Sequence, residues 1–164
     1  MVGVTACSPS GGADEAGRTS AAKPSEEVLA GVDPCDILPD AELESFGVST
    51  TGEPTNRPPW APGCHYRGDS VTVSVRKETR DTVASAEQKD VWAKFERTEV
   101  NGRAAATAIV KGATQARMCS ALFDAGRGMI QIQATEVRPP DTVDECAKAL
   151  EFAEMVEPKV PEPA

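Results

Sequence analysis

From Cys64 onward the apolar residues recur with a period of two. Val71, Val73 and Val75 alternate with Thr72, Ser74 and Arg76, which predicts a strand with one dry and one wet face. Cys64-His65-Tyr66-Arg67 precedes it across Gly68-Asp69, so the two form a hairpin. A second hairpin is signalled by Asn101-Gly102, followed by an alanine-rich strand from Arg103 to Val110, where small side chains imply a close overlying element. The third is the clearest: Gln115 to Phe123 and Met129 to Val137 flank a glycine-rich turn, and Ile130, Ile132 and Ala134 alternate with Gln131, Gln133 and Thr135. Cys119 shares the parity of Ala121 and Phe123, which points it into the dry face.

Helical spacing predicts three segments. Asp36 to Gly47 has Pro39 near its start, acids in the first turn, Leu43 and Phe46 on one face and Gly47 at its end; this reads as a short helix. Thr82 to Glu96 places Val83, Ala86, Val91 or Trp92, and Phe95 near helical spacing. Asp141 to Glu157 repeats Val143, Cys146, Ala147, Leu150, Ala153 and Val156 along one stripe, with Asp141 as the expected cap. Ser25 to Gly31 reads as a frayed helical turn, and Thr50 to Gly63, with four prolines and two glycines, as an irregular loop. The sum is an α+β domain: one twisted, mainly antiparallel sheet of about five to six strands built from hairpins, with helices packed on one face and two disulfides.

Composition changes this picture at the N-terminus. Val4-Thr5-Ala6-Cys7 resembles the lipobox of bacterial lipoproteins, whose cysteine becomes lipidated. A signal peptide needs a positive segment and an apolar stretch of about 7–15 residues before its cleavage site. Only Met1 to Ala6 precede Cys7, so the native start is expected upstream. Ser8 to Lys23 contains no aromatic or large aliphatic residue, the composition of a flexible tether. The expected organisation is residues 1–7 as a signal-peptide remnant with lipobox, 8–31 as tether, 32–157 as the domain and 158–164 as an extended proline-rich tail. No run of apolar residues is long enough to span a bilayer as a helix.

Five cysteines divide as one plus four. Cys35, Cys64, Cys119 and Cys146 contain no closely spaced pair and the chain has a single histidine, which disfavours zinc; the expectation is no metal and no cofactor. In an exported protein four cysteines make a disulfide framework. Of three possible pairings, Cys35 with Cys64 and Cys119 with Cys146 is preferred, because the last two lie on the buried faces of a strand and a helix and would staple them together. Cys7 is then the cysteine no pairing needs. The net charge of −9 argues against nucleic acid or anionic lipid as a surface partner, since the summed field repels phosphate.

The residues Asp33-Pro34-Cys35-Asp36-Ile37-Leu38, Phe46-Gly47, Cys64-His65-Tyr66, Cys119 and Cys146 are together similar to the actinobacterial exported lipoproteins grouped as the domain of unknown function 3558 family. That resemblance spans about Asp33 to Val156 and implies an exported, lipid-anchored, two-disulfide protein without an activity to carry over.

Catalytic chemistry is not legible. His65 adjoins a disulfide cysteine at a strand start and reads as structural; Ser120 sits mid-strand without a nucleophile elbow; the carboxylates lie at helix starts or on outward faces. The expectation is therefore a non-enzymatic binding or interaction module, attached to the outer face of the cell membrane through Cys7 and engaging a protein or cell-wall partner through the wet face of the sheet or the Thr50 to Gly63 loop. Trp60 and Tyr66 are the candidate ligand contacts. The alternative is a protease-inhibitor-like module using the 50–63 loop.

Overall fold

The computed structural model describes residues 3, 29–113, 117–138 and 143–164. In chain order the elements are α1 (Asp40–Phe46), β1 (Glu53–Thr55), β2 (Gly63–Tyr66), β3 (Val71–Glu78), α2 (Val83–Glu87), β4 (Trp92–Val100), β5 (Arg103–Val110), β6 (Met118–Ala125), β7 (Gly128–Glu136) and α3 (Glu145–Val156), followed by a 3-10 turn, Glu157–Lys159. The strands form one sheet of seven, all neighbours antiparallel, in the order β1-β2-β3-β7-β6-β5-β4. No helix among the described residues is long and apolar enough to cross a membrane.

The predicted alternation sets the packing. Cys64, Tyr66, Val71, Val73, Val75, Ala121, Phe123, Ile130, Ile132 and Ala134 share one face and bury against Ala149, Phe152, Ala153 and Val156 of α3 and Leu43 and Phe46 of α1. Phe152 is the hub, with Phe46 edge-on at 5.0 Å and Tyr66 at 6.1 Å between ring centres. Gly47 ends α1 at φ 94°, the left-handed conformation that a glycine adopts without steric cost.

Four expectations are corrected. The sheet has seven strands, because β1 and β4 were not foreseen. β1 is a three-residue edge strand carrying Pro54, and its pairing with β2 is tolerated because an edge strand has one side free of ladder bonds. The helix expected over Thr82 to Glu96 stops at Glu87, capped by Thr82 and Ser85 in a reciprocal box, and Trp92–Val100 is a strand. The Asn101-Gly102 turn decides this: both residues have positive φ, the turn that pairs two strands directly, so the segment before it must be extended. Helices also lie on both faces. α2 covers the opposite side, where Val83 and Ala86 pack on Ala106, Ala108, Leu122 and Met129; the alanines of β5 leave room for it. Finally, described residues on both sides of 32–157 pack against the domain. Leu29 is 1% exposed, and the tail folds back: Val160 is buried, Gly126 N–H donates to Glu162 O and Ala164 N–H to Gly126 O.

The helix expected from Asp141 begins at Glu145, capped by the Asp144 carboxylate on Ala147 N–H at 2.9 Å. Asp141 itself, residues 114–116 of the expected strand from Gln115, the turn residues 25–28, Cys7 and the tether sequence all lie outside the described residues.

Candidate functional site

Where α2 does not reach, the second face of the sheet is polar, and most of its side chains are partly exposed among the described residues, though Ser120 is buried. Register places His65, Ser74, Gln133 and Ser120 side by side across β2, β3, β7 and β6. Arg76 and Gln131 form a parallel row, and Thr72 and Thr135 another. His65 Nδ1 and Ser74 Oγ are hydrogen-bonded at 2.8 Å; Gln131 Nε2 donates to Ser120 Oγ at 3.1 Å; Gln133 Nε2 approaches Met118 Sδ at 3.4 Å. Among the described residues only the amide nitrogens of the two glutamines are engaged, and an amide also offers an acceptor with two lone pairs. These residues come from the wet positions of strands whose other face is the core, so their backbones are held by the whole sheet.

The second candidate is the Thr50 to Gly63 loop. Its first part is β1, and it is pinned at Cys64 by the Cys35–Cys64 disulfide. Gly52 passes directly over that bridge: a Cβ there would lie 2.2 Å from Cys64 Sγ and 2.9 Å from the Tyr66 ring. Pro58 O accepts from Ala61 N–H at 3.0 Å, so the tip turns, and Ala61 is buried. Trp60 is 41% exposed beneath the Arg80 guanidinium, 4.2 Å from the ring centre. Backbone N–H and hydroxyl of Thr79 both donate to Trp60 O.

Trp60 and Tyr66, the two candidate ligand contacts, are not brought together. Tyr66 is 0% exposed on the core face, and its hydroxyl donates to Pro34 O at 2.8 Å. It is a core residue with a satisfied polar tip and has no surface to offer a ligand. Its even parity with Cys64, on the side opposite His65, is the sequence signal for this. Burial, followed by the charges of Asp36 and Asp33, pushes its phenol up to about 12. Tyr66 is the single tyrosine, so tyrosinate absorbance reads it alone. The midpoint is expected at about pH 12 in the native protein and near pH 10 in denaturant. Below pH 10 both states keep the proton; between pH 10 and about 12 the unfolded chain releases it first, so stability falls as pH rises. A native midpoint near 10 contradicts this burial.

Cavities flank the sheet rather than piercing it. One of about 390 Å³ lies between Ala30–Pro34 on one side and Pro54, Asn56, Pro62, Gly63 and Lys77 on the other. Lys77 Nζ donates to Ala30 O and Val32 O at 2.6 and 2.7 Å, and burial pulls its ammonium below the usual range. Another, of about 230 Å³, is lined by Ile109, Ala113, Arg117, Met118, Glu145 and the Cys119–Cys146 bridge. Among the described residues no three His, Cys, Asp or Glu side chains are grouped to hold a metal ion. Both expected disulfides are formed, Cys35–Cys64 and Cys119–Cys146.

The model of a protein family of unknown function, DUF3558, matches residues 2–159. The chain belongs to the DUF3558 family. The match takes in the lipobox-like stretch as well as the sheet, both disulfides and α3. No curated protein and no solved structure matches the chain, so the site of this DUF3558 protein is read from its own residues. Sequence reasoning pointed to the wet face as a whole but did not single out Gln131, Gln133, Lys77 or Arg80. For the glutamines the signal was present, as polar residues at strict alternation. For Lys77 and Arg80 none was, because their partners lie on loops 20 to 47 positions away.

Proposed function

We propose that this DUF3558 protein is an exported, lipid-anchored cell-surface module that binds a protein or cell-wall partner on the polar face of its sheet, without catalysis. The observation that carries the binding role is the row His65, Ser74 and Gln133, flanked by Gln131, Arg76 and Thr135: a rigid, partly exposed polar surface, with Ser120 beneath its edge at 3% exposure. Two disulfides support an oxidising compartment, and Cys7, left over from both, supports the anchor. The His65–Ser74 pair does not argue for hydrolysis. Glu53, opposite His65 in the register, is ion-paired with Arg67 at 3.0 Å, and Ser74 sits mid-strand rather than on a turn that exposes a nucleophile.

The protease-inhibitor reading has one observation in its favour, the disulfide-pinned base of the 50–63 loop. It is the weaker reading because the tip closes a turn at Pro58–Ala61 instead of presenting an extended strand.

The test uses cells producing the chain behind a secretion leader. Cys7→Ala should move the protein from the membrane fraction into the soluble fraction; retention on the membrane would refute the anchor. A photo-crosslinking residue at Gln133 should capture one discrete partner from intact cells, whereas the same probe at Glu44, exposed on α1, should not. Identical adducts from both positions would refute the face as the binding site.

A further inference from the structure

The end of the domain where the N-terminal segment enters is the same end that carries Trp60. Three consecutive positions of the chain leaving β3 hold both. Lys77 Nζ bonds the carbonyls of Ala30 and Val32, Glu78 O and the Leu29 side chain both close in on Gly128, where an added Cβ would lie 2.1 and 2.9 Å from them, and Thr79 bonds Trp60 O twice. The next residue, Arg80, covers the Trp60 indole. The loop is therefore not free to turn away from the point where the chain comes in, and Cys7 lies 22 positions before Leu29.

This end has a chemistry of its own. Trp60, Arg57, Pro59 and Arg80 are exposed together, an amphipathic ring beside guanidinium groups on a chain whose net charge is −9. The neighbouring carboxylates are largely occupied: Glu53 by Arg67, Asp81 by Lys89 and Asp33 by the Cys35 N–H. Glu78 is half-buried, and burial pushes its carboxyl up. At physiological ionic strength charges more than about 8 Å apart are largely screened. A surface touching the patch therefore meets Arg57 and Arg80 rather than the sum over the whole chain, which reverses the expectation drawn from net charge alone.

We propose that the Arg57–Trp60 loop with Arg80 is a membrane-contact surface that seats in the headgroup region of an anionic phospholipid bilayer and orients the domain on the membrane. Guanidinium forks match phosphate oxygens, and tryptophan favours the boundary between headgroups and acyl chains, where its ring is half in each phase. The proposal rests on the lipid-anchored reading for its biological setting. Anchoring confines the domain near the surface, so a contact too weak to hold a free protein still sets its orientation. The polar sheet face, held by the same rigid sheet, would then be presented at a constant angle.

The experiment uses the full chain with Cys7→Ser, so that no lipid contributes, and sedimentation with vesicles of phosphatidylglycerol and phosphatidylcholine or of phosphatidylcholine alone at physiological ionic strength. Binding to the mixed vesicles is expected, with little to the neutral ones and a blue shift of tryptophan emission. Arg57→Ala and Arg80→Ala should each weaken it about fivefold. Trp60→Ala should abolish the blue shift, leaving only Trp92, while circular dichroism and melting stay unchanged because these side chains lie at the surface. Absence of binding, equal binding to neutral vesicles, or full binding by the Arg57→Ala and Arg80→Ala variants would overturn the proposal. None of these results bears on whether Cys7 is lipidated in cells, which the fractionation test decides separately.

Discussion

Replacing Cys119 and Cys146 together by alanine is expected to lower the unfolding free energy by about 3–4 kcal/mol, with a melting temperature lower by about 10–15 °C. The bridge closes a loop over a sequence separation of 27, and without it the unfolded chain regains that closure entropy. It also has a local role. Cys119 is near the start of β6 and Cys146 in the first turn of α3, with their Cα atoms 4.9 Å apart, so the bridge fastens the helix at the end remote from Phe152 and Val156. Those two residues hold the other end by burial, with Asn101 Nδ2 donating to Glu154 O at 2.9 Å. The double variant should therefore lose hydrogen-exchange protection first in the N-terminal turn of α3 and only later near Phe152. A loss below about 1 kcal/mol in denaturant unfolding, or uniform loss of protection along α3, would refute the staple.

Arg103→Met should cost about as much, roughly 3–5 kcal/mol, because it removes one partner from a buried charge cluster. The Arg103 side chain is 6% exposed and reaches Glu157 at 2.6 Å and Glu162 at 3.3 Å. The same guanidinium donates to Asp124 O at 3.0 Å and Pro161 O at 2.9 Å, and it lies 5.8 Å from the Phe123 ring centre. Its Nε has no hydrogen-bond partner among the described residues. Methionine keeps the apolar stem but takes the cation from the Glu157 carboxylate, which is 12% exposed and keeps only the neutral Asn101 Nδ2 donor at 3.2 Å among the described residues. Removing that charge as well, in Arg103→Met with Glu157→Gln, should recover part of the loss, and a double-mutant cycle reads the coupling. The tail from Val160 onward should become sensitive to proteolysis in Arg103→Met. A variant as stable as the parent, or a tail that stays protected, would show that the cluster does not hold it.

The residues best read from sequence were those whose two faces see different solvents. Val71 to Arg76 and Met129 to Thr135 alternate because one face is core and the other is water, so strand, register parity and the inward direction of Cys119 were all legible. The helical stripe of α3 was legible for the same reason. β4 was not: as an edge strand only Val100 among its nine residues is buried, and a register shift between Trp92 and Lys94 interrupts its alternation. With weak burial contrast on both faces, Trp92 and Phe95 imitate a helical spacing. Arg103 gave no warning either, since a lone arginine after Asn-Gly reads as a turn-side charge until Glu157 and Glu162 arrive from more than fifty positions away.

What the amino-acid order determined by itself is therefore the short-range part: hairpins, helix stripes, the parity of each cysteine and the composition around Cys7. These depend on residues within a few positions and on which side faces water. Which residues meet across the fold was decided by the tertiary structure. It put Tyr66 beneath the sheet and His65, Ser74 and Gln133 above it in one row, set α2 on the far face, folded the tail onto Arg103 and placed Trp60 beside the incoming chain. Such contacts follow from sheet order and from the burial that α1, α2 and α3 enforce together, and no local pattern encodes them.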